Sequence, residues 1–190
     1  MADLRTPPPA CLFVALLYPR VDQSLCIQEL IKLFGPVSYH SPTYDMAAFS
    51  RYYETEMGPD LQKQFVAFAE PIQMDELADC KLATHSLEQR LWREPGRRVF
   101  NIDPGLATSY SVILSTLKNH AHRVYLRDGV FCEVTLIFRD SSYHPLPWTY
   151  PDYQSPLVLE FFTKIRDLAL QSRKQNEGTG GHGDTGTRRA

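Results

Sequence analysis

The chain has 190 residues, of which 43% are hydrophobic, 22% are charged and 12% are aromatic, and its formal net charge is −2. This composition is typical of a globular domain, and the chain is long enough to bury a core without disulfides or metal ions. The small negative charge offers no bulk attraction to nucleic acid, and the longest apolar run, Cys11–Tyr18, is far too short to cross a bilayer. We therefore expect no membrane as a partner, and the charge disfavours nucleic acid.

The first half of the chain predicts two strands and two helices. The apolar run Cys11–Tyr18 predicts a strand that is covered on both faces. A helix follows, because Asp22 or Ser24 can cap it and Gly35-Pro36 ends it. Its apolar face is formed by Ile27, Leu30, Ile31 and Phe34. Leu61–Glu70 predicts a second strand, and Asp75–Trp92 predicts a helix that Thr84-His85-Ser86 could interrupt.

The second half of the chain predicts four more strands. Arg97–Asp103 alternates as a strand does, and Asp103-Pro104-Gly105 then predicts a turn. The β-branched content of Ser111–Leu117 favours a strand. His122–Leu126 and Val130–Phe138 flank Asp128-Gly129, which is a strong signal for a β-hairpin.

The last predicted element is a helix that Ser155 caps, with Pro156 in its first turn. Its apolar face is formed by Val158, Phe161, Phe162, Ile165 and Leu168. Interleaved helices and strands with a hairpin predict an α+β fold, with helices packed on a mixed, largely antiparallel sheet. We expect one domain over residues 11–171, between a flexible N-terminus (1–10) and a disordered, glycine-rich tail (172–190).

The cysteines and glycines exclude several classes of protein. The four cysteines are far apart and lie among apolar neighbours, and no secretory signal precedes them, so we expect reduced thiols and a cytoplasmic location. No glycine belongs to GxxxxGK[ST] or GxGxxG, so a nucleotide-binding loop is not expected. No HExxH, GxSxG or EF-hand pattern occurs, and the sequence identifies no cofactor.

The register of the predicted hairpin decides which side chain pairs with Glu133. If Asp128-Gly129 forms a two-residue type I′ turn, His122 becomes a diagonal neighbour of Glu133 on the same face. If Gly129 is instead a bulge, the register shifts by one residue and Arg123 lies opposite Glu133. The first arrangement predicts a histidine–carboxylate pair and the second a plain ion pair.

Two further pairs of polar residues lie near these strands. Asn101 and Asp103 alternate onto one face of their strand, where they could bind a ligand or serve the predicted turn. His120 and His122 have the spacing that points two imidazoles in the same direction on a strand. Because no third ligand can be identified, we expect no metal site.

The order of several motifs resembles a known family. These motifs are Leu12-Phe13-Val14-Ala15-Leu16-Leu17-Tyr18, Glu56-Met57-Gly58-Pro59, Asn101-Ile102-Asp103-Pro104-Gly105, Ala121-His122-Arg123-Val124-Tyr125-Leu126 with Glu133-Val134-Thr135-Leu136, and Pro147-Trp148-Thr149-Tyr150-Pro151-Asp152-Tyr153. They resemble the bacterial family catalogued as domain of unknown function 4416, over about Cys11 to Leu170. The resemblance implies a small bacterial protein and carries no established activity. It also implies that the polar residues at the motif positions matter together, namely Glu56, Lys81, Asn101, Asp103, Lys118, His122, Arg123 and Glu133.

Two functions follow as hypotheses. In the first, the protein is an enzyme or binding protein for a small anionic molecule, with His122 as acid/base and Glu133 or Asp103 as the carboxylate that orients it. Lys81, Lys118 and Arg123 would anchor the anion, and the other residues lining the site would be Asn101, Glu56, Tyr53 and Trp148. In the second, the protein is a non-enzymatic module that binds protein or RNA through its tyrosine- and tryptophan-rich loops.

Overall fold

The structure, a computed structural model, describes residues 7–91 and 98–179. Within these ranges the strands are β1 Cys11–Pro19, β2 Val37–His40, β3 Tyr44–Asp45, β4 Leu61–Phe68, β5 Asn101–Ala107, β6 Ser111–Thr116, β7 Val124–Arg127, β8 Val130–Arg139 and β9 Ser142–Pro145. These nine strands form one sheet in the order β2-β4-β1-β5-β6-β8-β7, with β3 beside β4 and β9 beside β8. The helices are α1 Ser24–Phe34, α2 Glu54–Met57, α3 Leu77–Arg90 and α4 Pro156–Thr179. The α+β prediction is confirmed, and all the strand pairings of the described residues are antiparallel.

The sheet is covered by helices on both faces. Alternate residues of β1 face opposite sides, so Leu12, Val14 and Leu16 pack with α1 and α3, whereas Phe13 packs with α4. Strand β1 is therefore buried on both faces, as its continuous apolar sequence predicts.

Helix α1 matches its predicted bounds. The N-cap residue is Gln23, whose side chain forms no capping hydrogen bond, so the prediction of Asp22 or Ser24 as the cap is wrong. Asp22, one residue earlier, accepts a hydrogen bond from the backbone N–H of Ser24 at 2.9 Å. Gly35 follows the helix with a φ of 83°, a conformation that favours glycine. The buried face of α1 contains Cys26 and Leu30, whereas Ile31 is exposed.

Helices α3 and α4 both differ from their predictions. Helix α3 is unbroken, and helix α4 is longer than expected. Helix α3 passes through Thr84-His85-Ser86 without a break, because Thr84 is buried and its hydroxyl donates to the carbonyl of Lys81 inside the helix. Helix α4 continues to Thr179, so residues 172–179 are helical where we predicted the start of a disordered tail. The apolar residues of this segment end at Leu170, but most of the polar residues that follow have an adequate helix propensity. The rest of the predicted tail, 180–190, lies outside the described residues, as do residues 1–6 of the predicted flexible N-terminus.

The prediction of a turn at Asp103-Pro104-Gly105 is wrong, because all three residues lie inside β5. Gly105 is required there by packing. A Cβ at this position would lie 2.4 Å from Cζ of Phe13 and 2.5 Å from the carbonyl oxygen of Ile113. At these positions proline and glycine therefore lie within a strand inside the sheet and do not form a turn.

Pro104 also ends the pairing between β5 and β6. Within a strand the N–H and C=O of one residue point to the same side, and Pro104 has no N–H to offer. The β5–β6 ladder includes Gly105, Leu106 and Ala107, whereas β6 continues beside β8 as far as Thr116. The two strands separate at this point, and we call the gap beside residues 102–104 the fork.

Candidate functional site

At the fork, side chains from α3 form hydrogen bonds with the backbone of β5 that a neighbouring strand would otherwise form. Glu88 accepts a hydrogen bond from the N–H of Ile102 at 2.6 Å, and the ammonium of Lys81 donates to the carbonyl of Ile102 at 3.0 Å. The hydroxyl of Ser115 donates to the carbonyl of Pro104 at 2.6 Å. The backbone groups that β6 leaves unpaired thus find side-chain partners, as buried backbone groups require.

A first polar group, formed by Lys81, Asp103 and Asn101, lies at the fork. The ammonium of Lys81 contacts Oδ1 of Asp103 at 2.7 Å, and the Lys81 side chain is only 4% exposed. The amide of Asn101 donates to Oδ2 of the same carboxylate at 2.6 Å. Burial by itself would raise the pKa of Asp103, but Lys81, Asn101 and Arg98 lower it below its usual value.

Glu88 and Arg98 extend this group toward Glu56. A guanidinium nitrogen of Arg98 lies 2.8 Å from Glu88 and another lies 3.4 Å from Glu56, which is half exposed on α2. Burial raises the pKa of Glu88, against the opposing effect of Lys81 and Arg98. Our sequence analysis did not select Glu88 or Arg98, although Lys81 and Glu88 are seven residues apart and therefore share one face of α3.

A second polar group is centred on Glu133 of β8. Its Oε2 accepts hydrogen bonds from Nε of Arg123 at 2.7 Å and from Nε2 of His122 at 3.0 Å. The Glu133 side chain is 1% exposed, and its other oxygen, Oε1, has no hydrogen-bond partner among the described residues.

The hairpin combines features of both predicted registers. Asp128 and Gly129 have φ values of 53° and 79°, as a type I′ turn requires, and Arg127 pairs with Val130. An irregularity at Leu126 then shifts the register by one residue, so Val124 pairs with Cys132. Strand β7 begins only at Val124, and the turn before it brings both His122 and Arg123 to Glu133. Neither alternative is therefore complete, since the carboxylate binds both side chains.

Aromatic side chains surround this second group. The ring of Trp148 stacks on that of His122, with centroids 5.1 Å apart and planes 13° apart. The indole N–H donates to the carbonyl of Val134 at 2.8 Å, which fixes the ring. The hydroxyl of Tyr150 accepts a hydrogen bond from Arg123 at 3.0 Å.

Tyr53, Tyr150 and Lys118 connect the two polar groups. Burial raises the pKa of Tyr150, and the carboxylates of Glu133 and Asp103 both add to this effect. Burial also raises the pKa of Tyr53, with Asp103 and Tyr150 contributing. The ammonium of Lys118 lies over the rings of Tyr52 and Tyr53. The backbone carbonyl of Lys118 accepts a hydrogen bond from the guanidinium of Arg123 at 2.9 Å. The ten residues selected from the sequence therefore lie in two sets of contacts, one around Asp103 and one around Glu133, and Tyr53 and Tyr150 interact electrostatically with Asp103. Their roles as site residues stay a prediction.

A buried ionic group on the α4 side was missed by sequence reasoning. Nζ of Lys63 lies 2.5 Å from Oδ2 of Asp152, whose side chain is fully buried, and the hydroxyl of Tyr44 donates to the same oxygen at 2.9 Å. This group ties β3 and β4 to the turn that precedes α4. Lys63 gives no sequence signal, since one lysine among alternating polar residues is typical of an exposed strand face.

The described residues contain no group of three or more histidine, cysteine, aspartate or glutamate side chains placed to hold a metal ion. A cavity of about 620 Å³ lies elsewhere, between the end of α1 and the start of α3, and is lined by residues that include Lys32, Gly35, Glu70, Asp79 and Ala83. In the described ranges no helix has the length and apolar character needed to span a membrane.

Comparison with known proteins identifies a family but no characterised relative. No curated protein matches the chain. No solved structure matches it either. One family model matches residues 8–168, which include the sheet and both polar groups. The chain accordingly belongs to the family described as a domain of unknown function, DUF4416.

Proposed function

We propose that the protein binds a small anionic molecule, such as a phosphate or carboxylate compound, beside His122 and Lys118. The observation that carries the proposal is the position of the Lys118 ammonium, 5.3 Å from the ring centroid of Tyr52 and 5.8 Å from that of Tyr53. Lys81, Arg98 and Arg123 each contact a carboxylate. Among the described residues no carboxylate pairs with Lys118, which leaves this cation to attract an anion.

Arg123 serves this proposal by positioning its neighbours. Its guanidinium donates to Glu133, to the carbonyl of Lys118 and to the hydroxyl of Tyr150. These contacts hold the backbone of Lys118 and the hydroxyl of Tyr150 against Arg123, which shares the carboxylate of Glu133 with His122. His122 is 17% exposed at its side chain and can donate or accept a hydrogen bond from a ligand.

The aromatic side chains favour this proposal over a protein- or RNA-binding module. Trp148 stacks on His122, Tyr150 bonds to Arg123, and the rings of Tyr52 and Tyr53 face Lys118. Rings engaged with the polar side chains of one cluster support a site for a small molecule more than they support a separate contact surface.

The four free cysteines also support a reducing compartment, so we propose a cytoplasmic location. Burial raises the pKa values of Cys11, Cys26 and Cys80 to about 12, which makes these thiols poor nucleophiles.

Thermal unfolding in the presence of EDTA tests the proposed anion site. The probes are inorganic phosphate, a sugar phosphate and a dicarboxylate, each added to the wild type and to Lys118→Ala, His122→Ala and Lys164→Ala. A ligand at 100 times its dissociation constant adds about 2.7 kcal/mol of stability, which raises the Tm by several degrees. We expect one class of anion to raise the Tm of the wild type and of the control Lys164→Ala, which lies on α4.

The two variants at the site should lose this increase. The proposal is wrong if no anion raises the Tm of the wild type, or if Lys118→Ala retains the full increase. A Tm increase that survives in all variants would place anion binding elsewhere on the chain.

A further inference from the structure

The imidazoles of His120 and His122 face each other at the end of the β6–β7 connection. Their Nδ1 atoms are 3.0 Å apart, and the ring centroids are 4.6 Å apart with planes inclined by 49°. His120 is exposed to solvent. One Nδ1 donates a hydrogen bond to the other, and a metal ion that displaced the shared proton would find two ring nitrogens side by side next to solvent.

This separation fits two ligands of one metal ion. Zinc–imidazole bonds are about 2.05 Å long. With bonds of that length, two nitrogens 3.0 Å apart subtend an angle of roughly 95° at the metal, between the octahedral and the tetrahedral values. An opening of a few tenths of an ångström would make the angle tetrahedral.

The other nitrogen of His122 has the partner that metal-binding histidines need. Nε2 contacts Oε2 of the buried Glu133 at 3.0 Å, and a carboxylate in this position fixes the Nε2–H tautomer and leaves the lone pair on Nδ1. Arg123 holds the same carboxylate, and the stacked Trp148 fixes the plane of the ring. The imidazole of His122 is thus oriented by two neighbours, Glu133 and Trp148, before any ligand arrives.

We propose that His120 and His122 bind one divalent transition-metal ion, Zn²⁺ or a similar borderline ion, through their Nδ1 atoms. Imidazole nitrogen suits Zn²⁺, Cu²⁺ and Ni²⁺, whereas Mg²⁺ and Ca²⁺ need oxygen ligands. Since the described residues supply no group of three ligands, water completes the coordination and leaves positions open to exchange. This site goes beyond the proposed anion binding and does not depend on it.

Sequence reasoning rejected a metal site because it found no third ligand. The spacing of His120 and His122 shows neither the distance between the two Nδ1 atoms nor the link to Glu133, since both depend on the turn before β7. The structure supplies both observations.

Isothermal titration of the metal-free full chain with Zn²⁺ tests the proposal. We expect one Zn²⁺ per chain in the wild type and at least a tenfold loss of affinity in His120→Ala. Because His120 is exposed, this variant should fold normally. Glu133→Gln, which removes the carboxylate charge, should weaken binding by about 10- to 100-fold.

The matched control is His144→Ala. His144 lies on β9 and contacts Ser142, so its loss should leave Zn²⁺ binding unchanged. The proposal is overturned if the wild type binds no Zn²⁺, or if His120→Ala binds it as tightly as the wild type does. Because anion binding is measured in EDTA, the failure of either proposal can be told apart from the failure of the other.

Discussion

At the scale of single residues, two carboxylates beside Lys81 have opposite responses to pH. Asp103 has a lowered pKa: burial opposes ionisation, but Lys81 and Asn101 favour it more strongly. Glu88 has a raised pKa because burial outweighs the effect of Lys81 and Arg98. Ionised Asp103 therefore stabilises the folded state at neutral pH, whereas ionised Glu88 costs free energy there.

Replacing Asp103 by Asn should change how stability depends on pH. The contribution of Asp103 is fully present above the unfolded pKa of about 3.9 and is lost as the pH falls through the lower folded value. We expect the wild type to lose more free energy of unfolding than Asp103→Asn as the pH falls from about 5 to about 3. Urea unfolding at several pH values measures this difference.

At neutral pH the same variant should be less stable than the wild type by about 3–5 kcal/mol, because it leaves the buried Lys81 ammonium without a counter-ion. Asp75→Asn, at an exposed position before α3, is the control and should follow the wild type at every pH. Parallel curves for Asp103→Asn and the wild type would refute this account of the Lys81–Asp103 pair.

At the scale of elements, β5 tolerates little change at Gly105. Replacing this glycine by Ala places a methyl group against the ring of Phe13 and the carbonyl of Ile113. We expect the free energy of unfolding to fall by about 1–3 kcal/mol or more, as in other overpacked cores. Denaturant unfolding measures the loss, and the double variant with Phe13→Leu should recover part of it.

Gly129→Asn is the control for this prediction. No atom lies within 4 Å of a Cβ built at Gly129, and asparagine tolerates the positive φ of the turn. This variant should lose about 1 kcal/mol at most, from the positive φ alone, since no atom crowds its side chain. If Gly105→Ala loses no more than this, the close approach of Phe13 does not constrain β5.

Elements with a local signal were predictable, and elements fixed by distant contacts were not. The apolar run of β1, the glycine that ends α1 and the proline and apolar face of α4 all lie within their own segments. Asp103-Pro104-Gly105 reads as a turn because proline and glycine usually break strands. Only the distant Phe13 and Ser115 reveal why these residues suit a strand.

The candidate site shows the same division. The structure places Lys81, Asn101 and Asp103 in contact with one another, and His122, Arg123 and Glu133 in contact with one another, while their roles as site residues stay a prediction. The partners were less predictable, because the register shift at Leu126 lets Glu133 bind both His122 and Arg123. Glu88 and Asp152 were missed because a buried carboxylate becomes visible only when its distant partner is known.

At the scale of the whole molecule, α4 closes one face of the sheet through aromatic packing. Phe162 is fully buried and its ring lies 4.9 Å from Phe13, 5.4 Å from Phe65 and 5.8 Å from Tyr153, measured between centroids. Phe162→Ala should lower the free energy of unfolding by about 3–5 kcal/mol. Denaturant unfolding monitored by circular dichroism measures the loss.

Lys164→Ala, on the exposed side of the same helix, is the control and should change stability by no more than about 0.5 kcal/mol. A small effect of Phe162→Ala would mean that α4 contributes little to the closure of this face.

The side chains that line the fork also protect it against invasion by another strand. A strand adds to a sheet only where backbone donors and acceptors are free. Along residues 102–104 those groups are already bound by Glu88, Lys81 and Ser115, and Pro104 offers no donor. On this stretch of β5 an incoming strand, or an extension of β6, therefore meets no free backbone donor or acceptor. The place where β5 and β6 part is thus determined by one proline and by three side chains that bind backbone groups.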